Sequence, residues 1–300
     1  MGTQGQLNGC HNDVMNVKSF LVSRFGFRDN PNDMVVLMDD EYTMRNRPAF
    51  VPTRANIINA MNWLVSGNQP GDSLFFHFSG HGGRVRDTSG DETDGYDETI
   101  LPLDYQQAGQ ILDDEMHSVM VGRLMPGVRL TAIFDSCHSG TALDLPYLYD
   151  PNGRLVLEEE RQQQKAQSAL QIGLGLAMVM GGMPISGLNM IKRNGGSLFG
   201  SGNGGGVSSS AAIQQRHTFS DVIMFSSCKD SQTAADARIQ GFGATGAMSY
   251  AFLTALNVSH PLTYTQLLAS MRTILAQKYF GQIPQLSSGH PMDMNIYFLM

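Results

Sequence analysis

The sequence predicts an α/β fold: a mostly parallel sheet flanked by helices, interrupted by a flexible linker. Three observations carry this. Short apolar runs of strand length alternate with amphipathic helical stretches. Two of those runs lead straight into small-residue turns rich in Gly, Ser, His and Cys, and open α/β sheets collect function beyond the carboxyl ends of their strands. Finally, the alternation fails over a glycine-rich stretch and then resumes.

The elements follow in chain order. Asp13 or Asn12 can cap a first helix whose Val14, Val17, Phe20, Leu21 and Phe25 share one face. Met34–Met38 reads as a buried strand. Thr53, after Pro52, caps a helix carrying Ile57, Ile58, Met61, Leu64 and Val65. Ser73–Phe78 is a second strand and Glu98–Leu103 a third. Asp113 caps a short helix to about Leu124, and Val128–Phe134 is a fourth strand. Beyond the linker come a strand at Asp221–Ser226, helices near Thr245–Leu256 and Thr263–Tyr279, and a last strand around Met294–Phe298. The chain thus divides into a large segment (1–150), a linker (151–217) and a small segment (218–300) of one domain.

The linker reading rests on composition. Gly173–Gly206 holds 12 glycines in 34 residues, behind a Glu/Gln-rich stretch at 158–164. Ile172–Ile191 is uncharged, but its five glycines, Pro184, Ser186 and Asn189 argue for a loosened linker over a membrane span. The amino terminus has neither a basic region nor an apolar core, so a secretory signal is not expected, and Gln6 stands where a myristoylation start wants Ser or Thr.

Bulk properties narrow the function classes. With 42% apolar residues, 300 residues can bury a core, which excludes a disordered chain or a coiled coil. The net charge of −7 offers no basic field for nucleic acid or anionic membrane. Three scattered cysteines, Cys10, Cys137 and Cys228, argue against a disulfide framework and for a reducing compartment, hence a cytoplasmic or also nuclear protein. A monomer is expected.

The chemistry concentrates in two turns. Ser73–Phe78 runs into Ser79-Gly80-His81-Gly82-Gly83, and Val128–Phe134 into Asp135-Ser136-Cys137-His138-Ser139-Gly140. If these strands are neighbours, His81 and Cys137 share one rim. A thiol beside an imidazole is the unit of cysteine-nucleophile catalysis, because the partner His⁺ favours the thiolate. The glycines allow backbone N–H groups to approach a reacting carbonyl, and the amides of Gly82 and Cys137 are candidates for an oxyanion hole. His138 is a weaker candidate base, since adjacent side chains in a turn diverge. No paired Cys/His spacing of a zinc site exists.

The pair HFSGHGG (His77–Gly83) and DSCHSG (Asp135–Gly140), with 56 residues from His81 to Cys137, resembles the metacaspases of the caspase-like cysteine peptidase clan. Further matches run in order: GCHND (Gly9–Asp13), VPTRANI (Val51–Ile57), GDETDGYDETILPLD (Gly90–Asp104), LDDEM (Leu112–Met116), SCKDSQTAADA (Ser227–Ala237) and HPMDMNIYF (His290–Phe298). The details look most like the fungal, yeast-type members of the type I group. The resemblance implies a caspase-like sheet and a cysteine endopeptidase acting on protein or peptide substrates. It also implies a Pro/Gln-rich prodomain and an apolar central strand ahead of the GCHND turn. Neither is seen between Met1 and Asn8.

Specificity and metal are read from carboxylates. By resemblance, Cys10, Asp13 and Ser79 line one pocket with Asp135. Two carboxylates in a dry pocket match Arg bidentately and Lys as a point charge, so cleavage is expected after Arg or Lys and not after Asp. Helix capping is the competing role of Asp13. The acidic run Asp87–Asp104 carries seven carboxylates in 18 residues without the fixed order of an EF-hand loop. The resemblance implies that Asp97, Asp113, Asp114 and Asp144 bind an activating Ca²⁺. It also implies self-processing in the linker, where Lys192 and Arg193, followed by Asn194-Gly195-Gly196, offer a basic site in an open backbone. A second reading is a catalytically silent caspase-like protein that holds peptides or remodels aggregates. Intact His81 and Cys137 favour the peptidase.

Overall fold

A computed structural model describes residues 6–88, 95–136, 142–156, 216–228, 237–239, 243–258, 261–278 and 282–300. In chain order the helices are α1 (Cys10–Phe20, continued by one π turn to Phe25), α2 (Glu41–Asn46), α3 (Arg54–Val65), α4 (Tyr105–Ala108), α5 (Asp113–Met116, continued by a π turn to Val121), α6 (Ala247–Val258) and α7 (Tyr264–Gln277). The strands are β1 (Ser73–Ser79), β2 (Gly82–Arg86), β3 (Tyr96–Ile100), β4 (Ile111–Leu112), β5 (Arg129–Asp135), β6 (Tyr147–Tyr149), β7 (Leu155–Val156), β8 (Asp221–Cys228), β9 (Ala237–Ile239), β10 (Gly243–Thr245) and β11 (Ile283–Ser288).

Six strands form the central sheet in the order β1-β5-β8-β11-β6-β7. β1, β5 and β8 run parallel, and β11, β6 and β7 complete the sheet by antiparallel pairing. Side chains of successive strand residues face opposite ways, and the two cores follow that period. Ile133 and Phe225 face a cluster built with α1, α6 and α7, including Phe20, Phe252, Leu267 and Phe298. Leu130, Ala132, Phe134, Val222 and Met224 face α3 and the α5 turn, through Ile57, Met61 and Met120. Helices therefore cover both faces, and strands from before and after the linker share one sheet. Arg129 Nε donates to Asp221 Oδ2 at 2.6 Å, tying the starts of β5 and β8. A small β2-β3-β4 sheet stands beside the rim.

Several element readings are corrected. Met34–Met38 joins no described strand; at its two ends the Met34 N–H donates to Asn30 O at 2.9 Å and the Met38 N–H to Phe50 O at 3.1 Å. Among the described residues β1 pairs only with β5, so it is an edge strand. Both segments line one cavity of about 1300 Å³, which also touches Leu21, Leu64 and Trp63. An apolar run makes a ladder only beside a partner strand, and none of the described strands lies next to this one. Met294–Phe298 is likewise no strand. Its backbone contacts the start of α7, with a single bridge between Thr263 and Tyr297, and the last strand is β11. Residues 155–156, read as linker, form the sheet's far edge. The rest of the linker from 157 to 215, with Ile172–Ile191, lies outside the described residues. No helix among the described residues is long and apolar enough to cross a membrane.

Caps divide between success and failure. Thr53 caps α3, accepting the Asn56 N–H at 3.3 Å, and Thr263 with Gln266 closes a capping box on α7. Asp13 and Asn12 do not cap α1: the helix starts at Cys10 behind Gly9, which puts Asp13 inside it. Asp113 is the first residue of α5, behind Leu112, rather than its cap.

Candidate active site

The register of β1 on β5 decides where the site lies. Ser79 stands opposite Asp135, so both strands leave the sheet at the same level. His81 follows two residues after Ser79. From Asp135 the chain continues through buried Ser136 toward Cys137, which lies outside the described residues. The Gly80 N–H donates to Asp135 O at 3.3 Å, holding the two turns side by side.

His81 is half-buried, and its carbonyl accepts the Leu101 N–H at 3.0 Å. Gly82 faces Ile100 at the next position of the antiparallel β2-β3 pair. Hydrogen-bonded and non-bonded positions alternate along such a ladder, so the Gly82 N–H turns away from β3.

The predicted pocket residues converge. Asp13, on α1, is 1% exposed and Asp135, at the end of β5, 4% exposed. The Ser79 hydroxyl donates to Asp13 Oδ2 at 2.7 Å. Cys10 sits three residues before Asp13, on the same side of α1, and is partly exposed. Three residues that the sequence reading missed complete the cradle. Thr245 Oγ1 donates to Asp13 Oδ1 at 2.5 Å, and the Gly246 N–H donates to both Asp13 oxygens at 2.9 Å. The Ser249 N–H donates to Asp135 Oδ2 at 2.7 Å. Both carboxylates thus sit at the amino-terminal end of α6, where free N–H groups and the helix dipole favour negative charge. Gly246 lies between them, and a Cβ there would stand 2.2 Å from Asp135 Oδ2. The signal for these residues is the ATGA turn before a helix, uninformative until α6 packs on β5.

Two like charges in one buried place cannot both be held cheaply. Burial first, and the neighbouring Asp13 second, push the Asp135 carboxyl up to about 7, against hydrogen bonds from Ser249 and Met248 that pull it down.

A second acidic group lies on the far side of β3. Ligand oxygens of Asp113, Asp114 and Asp144 all fall within 4.8 Å of one another, with Asp113 and Asp144 buried. Asp113 accepts the Glu98 N–H at 2.9 Å and the Asp114 N–H at 3.0 Å, which fixes its orientation. Arg216 Nη1 stands 3.1 Å from Asp144 Oδ1, a tethered cation at this cluster. Three converging carboxylates with a cation already held against them suit a hard divalent ion that takes oxygen ligands. Buried Asp97, on β3, is not within this group of three. Lys192 and Arg193 lie outside the described residues.

The chain matches the family described as metacaspase, peptidase C14 domain, over residues 2–146. It is 49% identical over 301 residues to Metacaspase-1 of Mycosarcoma maydis, spanning all of this chain and 70% of that protein. The chain belongs to the metacaspases. Metacaspase-1A of Aspergillus fumigatus is 49% identical across the whole chain and 68% of its own length. Metacaspase-1 of Schizosaccharomyces pombe is 46% identical, covering 67% of its length. A crystal structure of a Geobacter sulfurreducens protein shares the fold, with TM-score 0.54 and 23% identity over 96% of this chain and 87% of its own. This metacaspase is accordingly a member of a cysteine peptidase family, and protein substrates follow from that membership.

Proposed function

We propose that this metacaspase is a calcium-dependent endopeptidase that cuts after Arg or Lys and processes its own linker. The observation that carries the specificity is the buried Asp13–Asp135 pair at the rim where β1 and β5 end. A substrate guanidinium or ammonium entering there meets two carboxylates whose mutual repulsion it relieves, whereas a substrate carboxylate would add a third like charge.

Cys137 is the nucleophile and His81 its base. The thiolate adds to the scissile carbonyl, and the Gly82 and Cys137 amides hold the oxyanion. His81 returns a proton to the leaving amine, and water then releases the acyl group from sulfur. Asp113, Asp114 and Asp144 would hold Ca²⁺, with Asp97 of β3 outside their group. The ion would supply the positive charge that lets these carboxylates stay together. Linker cleavage falls after Lys192 or Arg193, where glycines follow the basic pair.

Hydrolysis of matched peptides with Arg, Lys or Asp before the cut bond, with calcium and with chelator, tests this reading. Turnover of the Arg and Lys peptides in calcium alone is expected. Cys137→Ala or His81→Ala should remove it by several orders of magnitude, while Cys228→Ala keeps it. Equal turnover of the Asp peptide would refute the pocket, and equal rates in chelator would refute the calcium requirement.

A further inference from the structure

Beneath the acidic pocket lies a polar chain with no part in bond cleavage. His77, on β1, points its Nε2 at the Ser249 hydroxyl of α6, 2.9 Å away. Ser249 is fully buried and its N–H donates to Asp135 Oδ2 at 2.7 Å, and its side chain is among the groups that pull the Asp135 carboxyl down. A hydroxyl has one proton to give. Burial pushes the His77 imidazole down to about 4, so the ring is neutral at physiological pH. A neutral ring with its proton on Nε2 donates to Ser249 Oγ, which leaves the hydroxyl proton aimed at Asp135. In that tautomer the donors run one way, from β1 through α6 to the end of β5.

The geometry points to Ser249 and His77 as positioning residues for specificity: they hold the Asp135 carboxylate oriented and ionised toward the substrate's basic side chain. This rests on the acidic-pocket reading above and adds to it the groups that keep the pocket in its binding form. Buried polar side chains are hydrogen-bonded because an unmet group costs more than its bond returns. A plain apolar pair would join β1 to α6 at no such cost, and the sequence instead keeps a histidine in a strand that otherwise reads Ser-Leu-Phe-Phe-His-Phe. Among the described residues, the titratable groups facing Asp135 are Asp13 from α1 directly and His77 from β1 through Ser249; the first turn of α6 contributes amides and the Ser249 hydroxyl. Burial first and Asp13 second raise the Asp135 carboxyl, and the Ser249 and Met248 donors oppose them.

The test uses the full chain carrying Cys137→Ala, to prevent self-cutting, and agmatine as a guanidinium probe in calorimetry from pH 6 to 9. The parent should bind more tightly as pH rises through about 7. Ser249→Ala should weaken binding at pH 7 by about tenfold or more, the loss of a hydrogen bond to a charged group. It should also move the midpoint of the pH dependence upward. His77→Phe should shift both in the same direction, and His77→Gln, whose amide restores a donor, should recover most of the loss. In the chain with Cys137 intact, Ser249→Ala should raise KM for Arg peptides with kcat nearly unchanged. Parent-like affinity and midpoint in Ser249→Ala and His77→Phe would overturn the relay. A parent chain that binds no agmatine at any pH would overturn the pocket reading itself, a different result from the first.

Discussion

Asp135→Asn separates what the pocket contributes to function from what it costs in stability. In the folded chain the Asp135 carboxyl is pushed up to about 7, against 3.8 in an ordinary environment. A carboxyl whose folded value is raised binds a proton more tightly when folded, so its ionisation destabilises the fold. That penalty is absent below about pH 4, grows as pH rises toward 7 and is constant above. At 1.36 kcal/mol per pH unit its ceiling is about 4 kcal/mol. His77 works oppositely: its lowered value, about 4 against 6.5, makes stability rise with pH over that interval. The wild-type curve alone therefore mixes two opposed slopes, whereas the difference between wild type and Asp135→Asn isolates the carboxylate. Asparagine keeps an oxygen for the Ser249 and Met248 N–H groups and cannot ionise. Thermal melting from pH 4 to 8 should show the variant gaining on wild type by several degrees, with a ceiling of about 8–16 °C at about 2–4 °C per kcal/mol. Agmatine binding should meanwhile be lost. A difference in Tm that is flat with pH, or that falls as pH rises, would refute the assignment of a buried, like-charge carboxylate pair.

Three further outcomes follow from the same geometry. Gly246→Ala places a methyl 2.2 Å from Asp135 Oδ2 and should reduce kcat/KM for Arg peptides by more than tenfold, with the circular dichroism spectrum unchanged; full activity would mean the carboxylate is not where the pocket requires it. Arg216→Gln removes the cation held against Asp144, so Tm in chelator should fall by several degrees, the cost of a buried charge left without its partner, and added Ca²⁺ should restore it. The same variant should bind Ca²⁺ more tightly in calorimetry, since the ion no longer displaces an arginine, and unchanged affinity would count against the shared site.

What the sequence determined by itself was local or periodic. The runs Ser73–Phe78 and Val128–Phe134 became β1 and β5 because short continuous apolar runs suit sheet strands, and Thr53 capped α3 because a side-chain oxygen before a helix needs no distant partner. The motifs named the family and brought Asp13, Ser79 and Asp135 to one place. Tertiary structure decided the rest. Met34–Met38 has the composition of a strand but no described partner to complete its ladder, and pairing is a property of two segments. Asp13 read as a cap when taken alone and as a pocket carboxylate beside Asp135, and Gly246, 233 residues away, donates its N–H to it. Thr245, Gly246 and Ser249 carry no catalytic pattern of their own. They matter because α6 begins where β5 ends, and a helix start beside two buried carboxylates supplies the donors that such a pair cannot do without.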